Sequence, residues 1–284
     1  MKQLILSAFV GITVLSCSND DTSNTTIQND NQKAFETYMT ASTAFQSFDQ
    51  LTLDAFNDVK NTSRSSKQNC VAIDALLAYQ DAPILGFEAY DFYSALSLDF
   101  EKDECQSNEW QGRFEFYIAG LGTTKLRDSA VFKNVTYQNG YSFDGYRLSV
   151  QDEALSDEVT QVFDVTIDGI LTAPDGTALR YKTQRNFEFE NRFTPQETIG
   201  LIESSSLEDL QNLRLIETTS VENSVVKYDA TCFNGLEFLR YPIAGIQNFT
   251  SNFGVNFSIN YGDGSCDREV VLTGEDGNQL VFDL

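Results

Sequence analysis

One strand-and-turn unit that ends in cysteine occurs twice in this chain, and it constrains the fold more than any other feature. Phe257–Cys266 reads Phe-Ser-Ile-Asn-Tyr-Gly-Asp-Gly-Ser-Cys, and Leu96–Cys105 reads Leu-Ser-Leu-Asp-Phe-Glu-Lys-Asp-Glu-Cys. In both, apolar side chains alternate with polar ones: Phe257, Ile259 and Tyr261 in one copy, Leu96, Leu98 and Phe100 in the other. A period of two puts those residues on one face of a half-buried strand. Each closing Cys has an upstream partner at almost the same distance, Cys70 before Cys105 and Cys232 before Cys266. The symmetry of the two units favours the pairs Cys70–Cys105 and Cys232–Cys266. Four Cys allow three pairings, and four free buried thiols are the remaining alternative. A bridge closing a loop of this size stabilises by roughly 3–4 kcal/mol in the chain-entropy model.

The rest of the body repeats the same logic. Phe114, Phe116 and Ile118 alternate, as do Phe163, Val165 and Ile167, and then Tyr181, Phe187 and Phe189. Asn139-Gly140, Asp144-Gly145, Asp168-Gly169, Asp175-Gly176 and Asp276-Gly277 read as tight turns, because Gly, Asn and Asp tolerate positive φ. Leu201–Ile216 is ambiguous between a short helix and the start of a strand. The expected fold is all-β: an antiparallel, hairpin-rich sheet or sandwich over residues 61–284. Its two stapled pseudo-repeats lie at about 70–120 and 232–284. Before it, Lys33–Lys60 spaces Phe35, Tyr38, Phe45, Phe48, Ala55 and Phe56 at three- and four-residue steps, which predicts an amphipathic helix. The fit weakens around Ser47–Leu53, so two shorter helices are an alternative.

The N-terminus reads as targeting. Lys2 precedes the short apolar run Leu4–Val14, which is below the roughly 18 residues of a spanning helix. Val14-Leu15-Ser16-Cys17 resembles a bacterial lipobox, a signal in which the Cys becomes the first mature residue and carries lipid. Residues 1–17 are thus expected to be a lipoprotein signal with lipidation at Cys17. That assignment also accounts for the odd fifth Cys. Ser18-Asn19-Asp20-Asp21 is similar to the acidic tag of surface-exported lipoproteins of Bacteroidota and equally reads as a solvated linker. Residues 18–32 are polar and are expected to form a flexible tether.

Composition excludes whole classes of chemistry. A formal charge of −23 opposes nucleic acid and anionic lipid headgroups. The chain contains no His, which removes Ser-His-Asp and Cys-His nucleophile systems and His-ligated metals. There is no glycine-rich phosphate loop and no Cys-x-x-Cys motif. No cofactor is expected. Paired carboxylates remain open as a catalytic device, but 42 acidic residues offer no way to choose a pair.

Two candidate sites stand out. Asp263, Asp267 and Glu269, with Ser265, space oxygen groups as a calcium loop would. The Gly at position six and the Glu at position twelve of an EF-hand are missing, so a turn beside a disulfide explains them better. Tyr90, Tyr93, Trp110, Tyr137, Tyr141 and Tyr146 lie beside carboxylates and amides, a mixture suited to stacking a sugar ring. Cross-strand aromatic pairing explains the same residues.

The segment Ile259-Asn260-Tyr261-Gly262-Asp263-Gly264-Ser265-Cys266-Asp267 resembles a closing motif of β-rich lipoproteins of Bacteroidota, mostly flavobacterial. The Asp164–Thr177 hairpin and Tyr137-Gln138-Asn139-Gly140 are similar to other strand pairs of that family, and the likeness spans about Cys70 to Leu284. The first Cys unit departs from the pattern, because it lacks the Gly-Asp-Gly turn. The resemblance implies an outer-membrane lipoprotein, facing the surface or the periplasm, with no catalytic residue to carry over. The expected function is non-enzymatic binding of an extracellular ligand or partner, a glycan or an envelope protein, by a chain held at the membrane through its lipid. A purely structural envelope protein and a carboxylate-pair glycoside hydrolase are the alternatives.

Overall fold

The structure, a computed structural model, describes residues 22–60, 71–101, 109–123, 125–192, 194–233 and 241–284. One helix, α1 (Thr22–Lys60), precedes the strands. The first eight are β1 (Val71–Ala78), β2 (Phe92–Asp99), β3 (Trp110–Ala119), β4 (Arg127–Tyr137), β5 (Ser142–Gln151), β6 (Thr160–Thr172), β7 (Ala178–Glu190) and β8 (Thr198–Asp209). Then follow β9 (Arg214–Ser220), β10 (Val226–Asp229), β11 (Ala244–Ser251), β12 (Phe257–Asp263), β13 (Glu269–Gly274) and β14 (Gln279–Asp283). They form one antiparallel sheet, not a sandwich. From β1 to β8 each strand pairs with its successor. The short strands β9 and β10 then share one place in the sheet. β9 pairs with Ser204–Asp209 of β8 and β10 with Thr198–Leu201, and both pair onward to β11. β11 to β14 complete the meander.

Alternation decides which face is buried. In β6, Phe163, Val165 and Ile167 point inward while Asp164 and Asp168 point out. In β12, Phe257, Ile259 and Tyr261 are all buried. The inner face packs on α1, whose Phe35, Tyr38, Phe45, Phe48, Leu51 and Ala55 form its apolar stripe. The helix crosses the strands rather than following one. Phe35 packs edge-on against Phe257 of β12, and Phe48 against Phe132 of β4. Those strands are seven places apart in the sheet, about 34 Å at the usual spacing. The thirteen residues of helix between the two rings span only about 20 Å. The sheet must therefore be concave around the helix. Its buried core accordingly falls into one cluster under the C-terminal half of α1 and another under the N-terminal half.

The structure corrects several sequence readings. Asp144-Gly145 and Asp168-Gly169 are not turns. Gly145 and Gly169 lie mid-strand, directly opposite each other in β5 and β6. A Cβ on either would come within 2.9 Å of the Phe143 ring and closer still to the facing backbone. These glycines serve close backbone approach under an aromatic ring, a second reason for Gly in a strand. Asn139-Gly140, Asp175-Gly176 and Asp276-Gly277 do turn the chain, and each Gly has positive φ. Leu201–Ile216 contains no helix: it holds most of β8, a turn and the start of β9. The helix begins at Thr22 rather than Lys33, so residues 22–32 are helical and not a tether. Asn31, Ala34 and Phe35 are buried, so tertiary contacts hold the helix at these residues. α1 is also continuous through Ser47–Leu53, where Phe48, Leu51 and Thr52 are buried in succession.

The two Cys units occupy equivalent places. β2 is the middle strand of β1–β3, and β12 is the middle strand of β11–β13. Cys232 and Cys266 are bonded, with Cα atoms 5.0 Å apart. Cys17, Cys70 and Cys105 lie outside the described residues. Among the described residues no helix is long and apolar enough to cross a membrane.

Candidate functional site

Polar residues interrupt the buried inner face in one band. On β7, Tyr181, Thr183, Arg185 and Phe187 point inward in turn, and on β8, Leu201, Glu203, Ser205 and Leu207 do so. Register places Arg185 directly opposite Glu203. The helix supplies Tyr38 and Asp49, eleven residues apart and so on one face after about three turns. Every hydrogen bond made to the Glu203 carboxylate among the described residues lands on Oε1. The Tyr38 hydroxyl donates at 2.9 Å and the Thr183 hydroxyl at 3.4 Å. An Arg185 guanidinium nitrogen stands at 3.5 Å. That same nitrogen donates to the Tyr181 hydroxyl at 2.7 Å. The other terminal nitrogen of Arg185 is 3.8 Å from Asp49 Oδ2. Asp49 Oδ1 accepts from Arg147 Nε at 3.0 Å, and Arg147 also donates to Asp128 at 2.6 Å. The chain Asp128–Arg147–Asp49–Arg185–Glu203 thus bridges β4, β5, α1, β7 and β8.

Burial governs the protonation of this band. It pushes the Tyr38 hydroxyl well above the ordinary tyrosine range, and the neighbouring Glu203 charge adds to the rise. Burial likewise raises Tyr228 and Tyr261. These three remain neutral hydroxyls at physiological pH. Desolvation works against the charge of Arg185, but Glu203, Tyr181 and Asp49 outweigh it, so the guanidinium stays charged. Burial raises the Asp49 carboxyl against the pull of Arg147 and Arg185. Its side chain keeps 34% of its surface exposed, which tempers that rise.

A cavity of about 460 Å³ opens between α1 and the sheet at this band, and Tyr38, Asp49, Arg185, Glu203, Gln247 and Tyr228 line it. Trp110 and Tyr137 stand at its edge, with ring centroids 4.6 Å apart on facing strands. The side chain of Arg185 is only 9% exposed, and its Nε–H has no hydrogen-bond partner among the described residues. A buried donor left unpaired costs free energy. A larger, open cavity of about 750 Å³ lies between α1 and the hairpin tips around Tyr141, Asp175, Asp209 and Phe253. Two of its carboxylates serve their own turns: Asp175 accepts from the Thr177 amide, and Asp209 from Gln211 and Asn212. The smaller cavity holds the buried charged pair Arg185 and Glu203.

The six aromatic candidates are not brought together. Trp110 and Tyr137 reach the smaller cavity and Tyr141 the larger one. Tyr90 and Tyr93 belong to a separate cluster with Phe87, where their hydroxyls donate to the Lys125 and Ala82 carbonyls. Tyr146 is exposed on the outer face. Among the described residues no cluster of three acidic or Cys side chains can hold a metal. Asp263 instead accepts from the Ser265 amide and hydroxyl, and Asp267 from the Glu269 amide. Reading for motifs passes over Asp49, Arg185, Glu203 and Gln247. Their signal is a charged or amide residue at an inward position of an alternating strand, repeated on neighbouring strands. Comparison of the chain with protein-family models, curated proteins and solved structures finds no match.

Proposed function

We propose that this chain is a lipid-anchored lipoprotein of the bacterial outer membrane that binds a small ligand in the cleft between helix and sheet, without chemical change to it. Val14-Leu15-Ser16-Cys17 supports the anchor. The observation that carries the binding function is the buried charged pair Arg185 and Glu203, which lines a cavity of about 460 Å³. The aromatic pair Trp110–Tyr137 at the edge adds an apolar face to a polar floor, the usual make-up of small-ligand sites. The test is a set of thermal melts of the full-length chain with sugars, amino acids, nucleosides, fatty acids and calcium. A ligand at a hundred times its Kd adds about 2.7 kcal/mol. Thr43 lines the cleft from the exposed side of α1, so Thr43→Phe fills it without touching the core and should remove the shift. If no compound raises the melting temperature, the chain is a structural envelope protein. The anchor is tested separately: Cys17→Ser should abolish incorporation of labelled palmitate and release the protein from membranes.

A second reading, hydrolysis by a carboxylate pair, rests on Asp49 and Glu203, which line the same cleft and face the same guanidinium. Against it, Glu203 is 3% exposed and has its Oε1 engaged by Tyr38 and Thr183. Turnover of aryl glycosides that is lost in Asp49→Asn would favour this reading.

A further inference from the structure

The geometry points to a neutral polyhydroxylated ligand, a carbohydrate, as the occupant of the cleft, an inference that rests on the binding reading above. Three features of the site define the ligand class. The first is charge. The cavity sets one guanidinium, Arg185, among four carboxylates, Asp49, Asp54, Glu109 and Glu203. A carboxylate or phosphate ligand reaching Arg185 would enter beside Asp49 and Glu203, within a chain of charge −23. An ammonium ligand reaching Glu203 would lie against the buried guanidinium. A neutral ligand meets neither repulsion.

The second feature is the pairing of donor with acceptor. Arg185 offers Nη1, which stands 3.8 Å from Asp49 Oδ2, beyond hydrogen-bond distance. Among the described residues Glu203 takes its hydrogen bonds on Oε1, which leaves Oε2 as an acceptor, and Asp49 Oδ2 faces the guanidinium at 3.8 Å. A ligand must therefore accept from one group and donate to its neighbours. Adjacent hydroxyls do both, since each hydroxyl is donor and acceptor at once. Gln247 extends the row, with its Oε1 already taken by Tyr261 at 2.6 Å. The third feature is the aromatic lining. Tyr38, Tyr228 and the Trp110–Tyr137 pair present apolar surface to the cavity, which suits the C–H faces of a sugar ring. The volume of about 460 Å³ lies within the usual range for small-molecule sites.

Trp110 is the only tryptophan of the chain, and it stands at the cavity. Its emission therefore reports occupancy. The experiment uses the full-length lipoprotein in a polyoxyethylene detergent, because glycoside detergents would compete. It is titrated with glucose, galactose, N-acetylglucosamine and maltose, then with glucuronate and galacturonate, and then with glucosamine and galactosamine. The expected result is a saturable change in emission with at least one neutral sugar. Its uronate and amino forms should bind at least ten-fold more weakly. Thr43→Phe should abolish the response, and Arg185→Met should weaken it at least ten-fold where the variant folds. Tighter binding of a uronate or an amino sugar, lost in Thr43→Phe, would overturn the ligand class and leave the cleft standing as a binding site. No response to any probe, or a response indifferent to Thr43→Phe, overturns the ligand class and removes the support for the cleft.

Discussion

Arg185 and Glu203 face each other inside the concave sheet, and removing either should cost far more than removing both. Arg185→Met leaves the 3%-exposed Glu203 carboxylate without its cation, and Glu203→Leu leaves a guanidinium of 9% exposure without its main anion. Breaking a buried pair from one side costs about 3–5 kcal/mol. The 3.5 Å separation is loose, Tyr38 still donates to Glu203, and Asp49 still faces Arg185. The low end, about 3 kcal/mol for each single variant, is therefore expected. At about 2–4 °C per kcal/mol for a domain of this size, each melting temperature should fall by about 6–12 °C. The double variant replaces the pair by apolar side chains between Phe187 and Leu201, where such replacement is often nearly neutral. Its cost should not exceed that of one single variant, giving a coupling energy of about 3 kcal/mol. Urea titration at pH 7, with the slope checked for constancy across all four proteins, measures it. Costs that simply add, within about 0.5 kcal/mol, would show that the two charges are independently solvated and that the pair is not a unit.

Three further outcomes test the frame around the site. Phe48→Ala removes a ring with no exposed surface that packs against Trp110, Phe132 and Phe143; a loss of about 3–5 kcal/mol by urea unfolding is expected, and a loss below about 1 kcal/mol would mean the helix does not brace the sheet. Replacing Cys232 and Cys266 together by Ser should cost about 3–4 kcal/mol for the 34-residue closure, read by urea unfolding; a variant as stable as the parent would deny the bridge any role. The Asp49 carboxyl is raised above its ordinary value by burial, so the folded chain holds this proton more tightly than the unfolded one. Its contribution to stability is full below the ordinary carboxylate pKa of about 3.9 and is lost as pH rises through the folded value. Relative to Asp49→Asn, the parent should therefore lose stability as pH climbs above about 4. A relative gain over that window would show that Arg147 and Arg185 outweigh desolvation.

Much of the fold is legible because strand and helix periods differ. The alternation of Phe163, Val165 and Ile167 and the three- and four-residue spacing of Phe35, Phe45 and Phe48 are local properties, written in consecutive residues. Turn chemistry is local too, but it is ambiguous. Asp144-Gly145 and Asn139-Gly140 carry equivalent signals, and only the first sits mid-strand, because a facing glycine, Gly169, and the Phe143 ring require the missing side chain. The start of α1 was hidden for a related reason. Residues 22–32 are polar, and the order at their end comes from the burial of Asn31 and Phe35 against strands more than two hundred residues away.

Of the candidate site, Trp110 and Tyr137 could be chosen from the sequence as aromatics beside polar groups, but nothing local separated them from Tyr90, Tyr93 or Tyr146. Asp49, Arg185 and Glu203 were three charges among many in a chain with 42 acidic and 19 basic residues. Periodicity, turn residues and cysteine spacing by themselves determined an antiparallel β body with a helix before it. They favoured the Cys232–Cys266 staple, which the structure shows. Tertiary structure alone decided that the helix crosses the strands, that the sheet bends around it, and that Arg185 and Glu203 meet beneath it. The physical reason is range. Secondary structure follows from neighbours a few residues apart, whereas a buried ion pair exists only once register and curvature have carried distant charges out of water together.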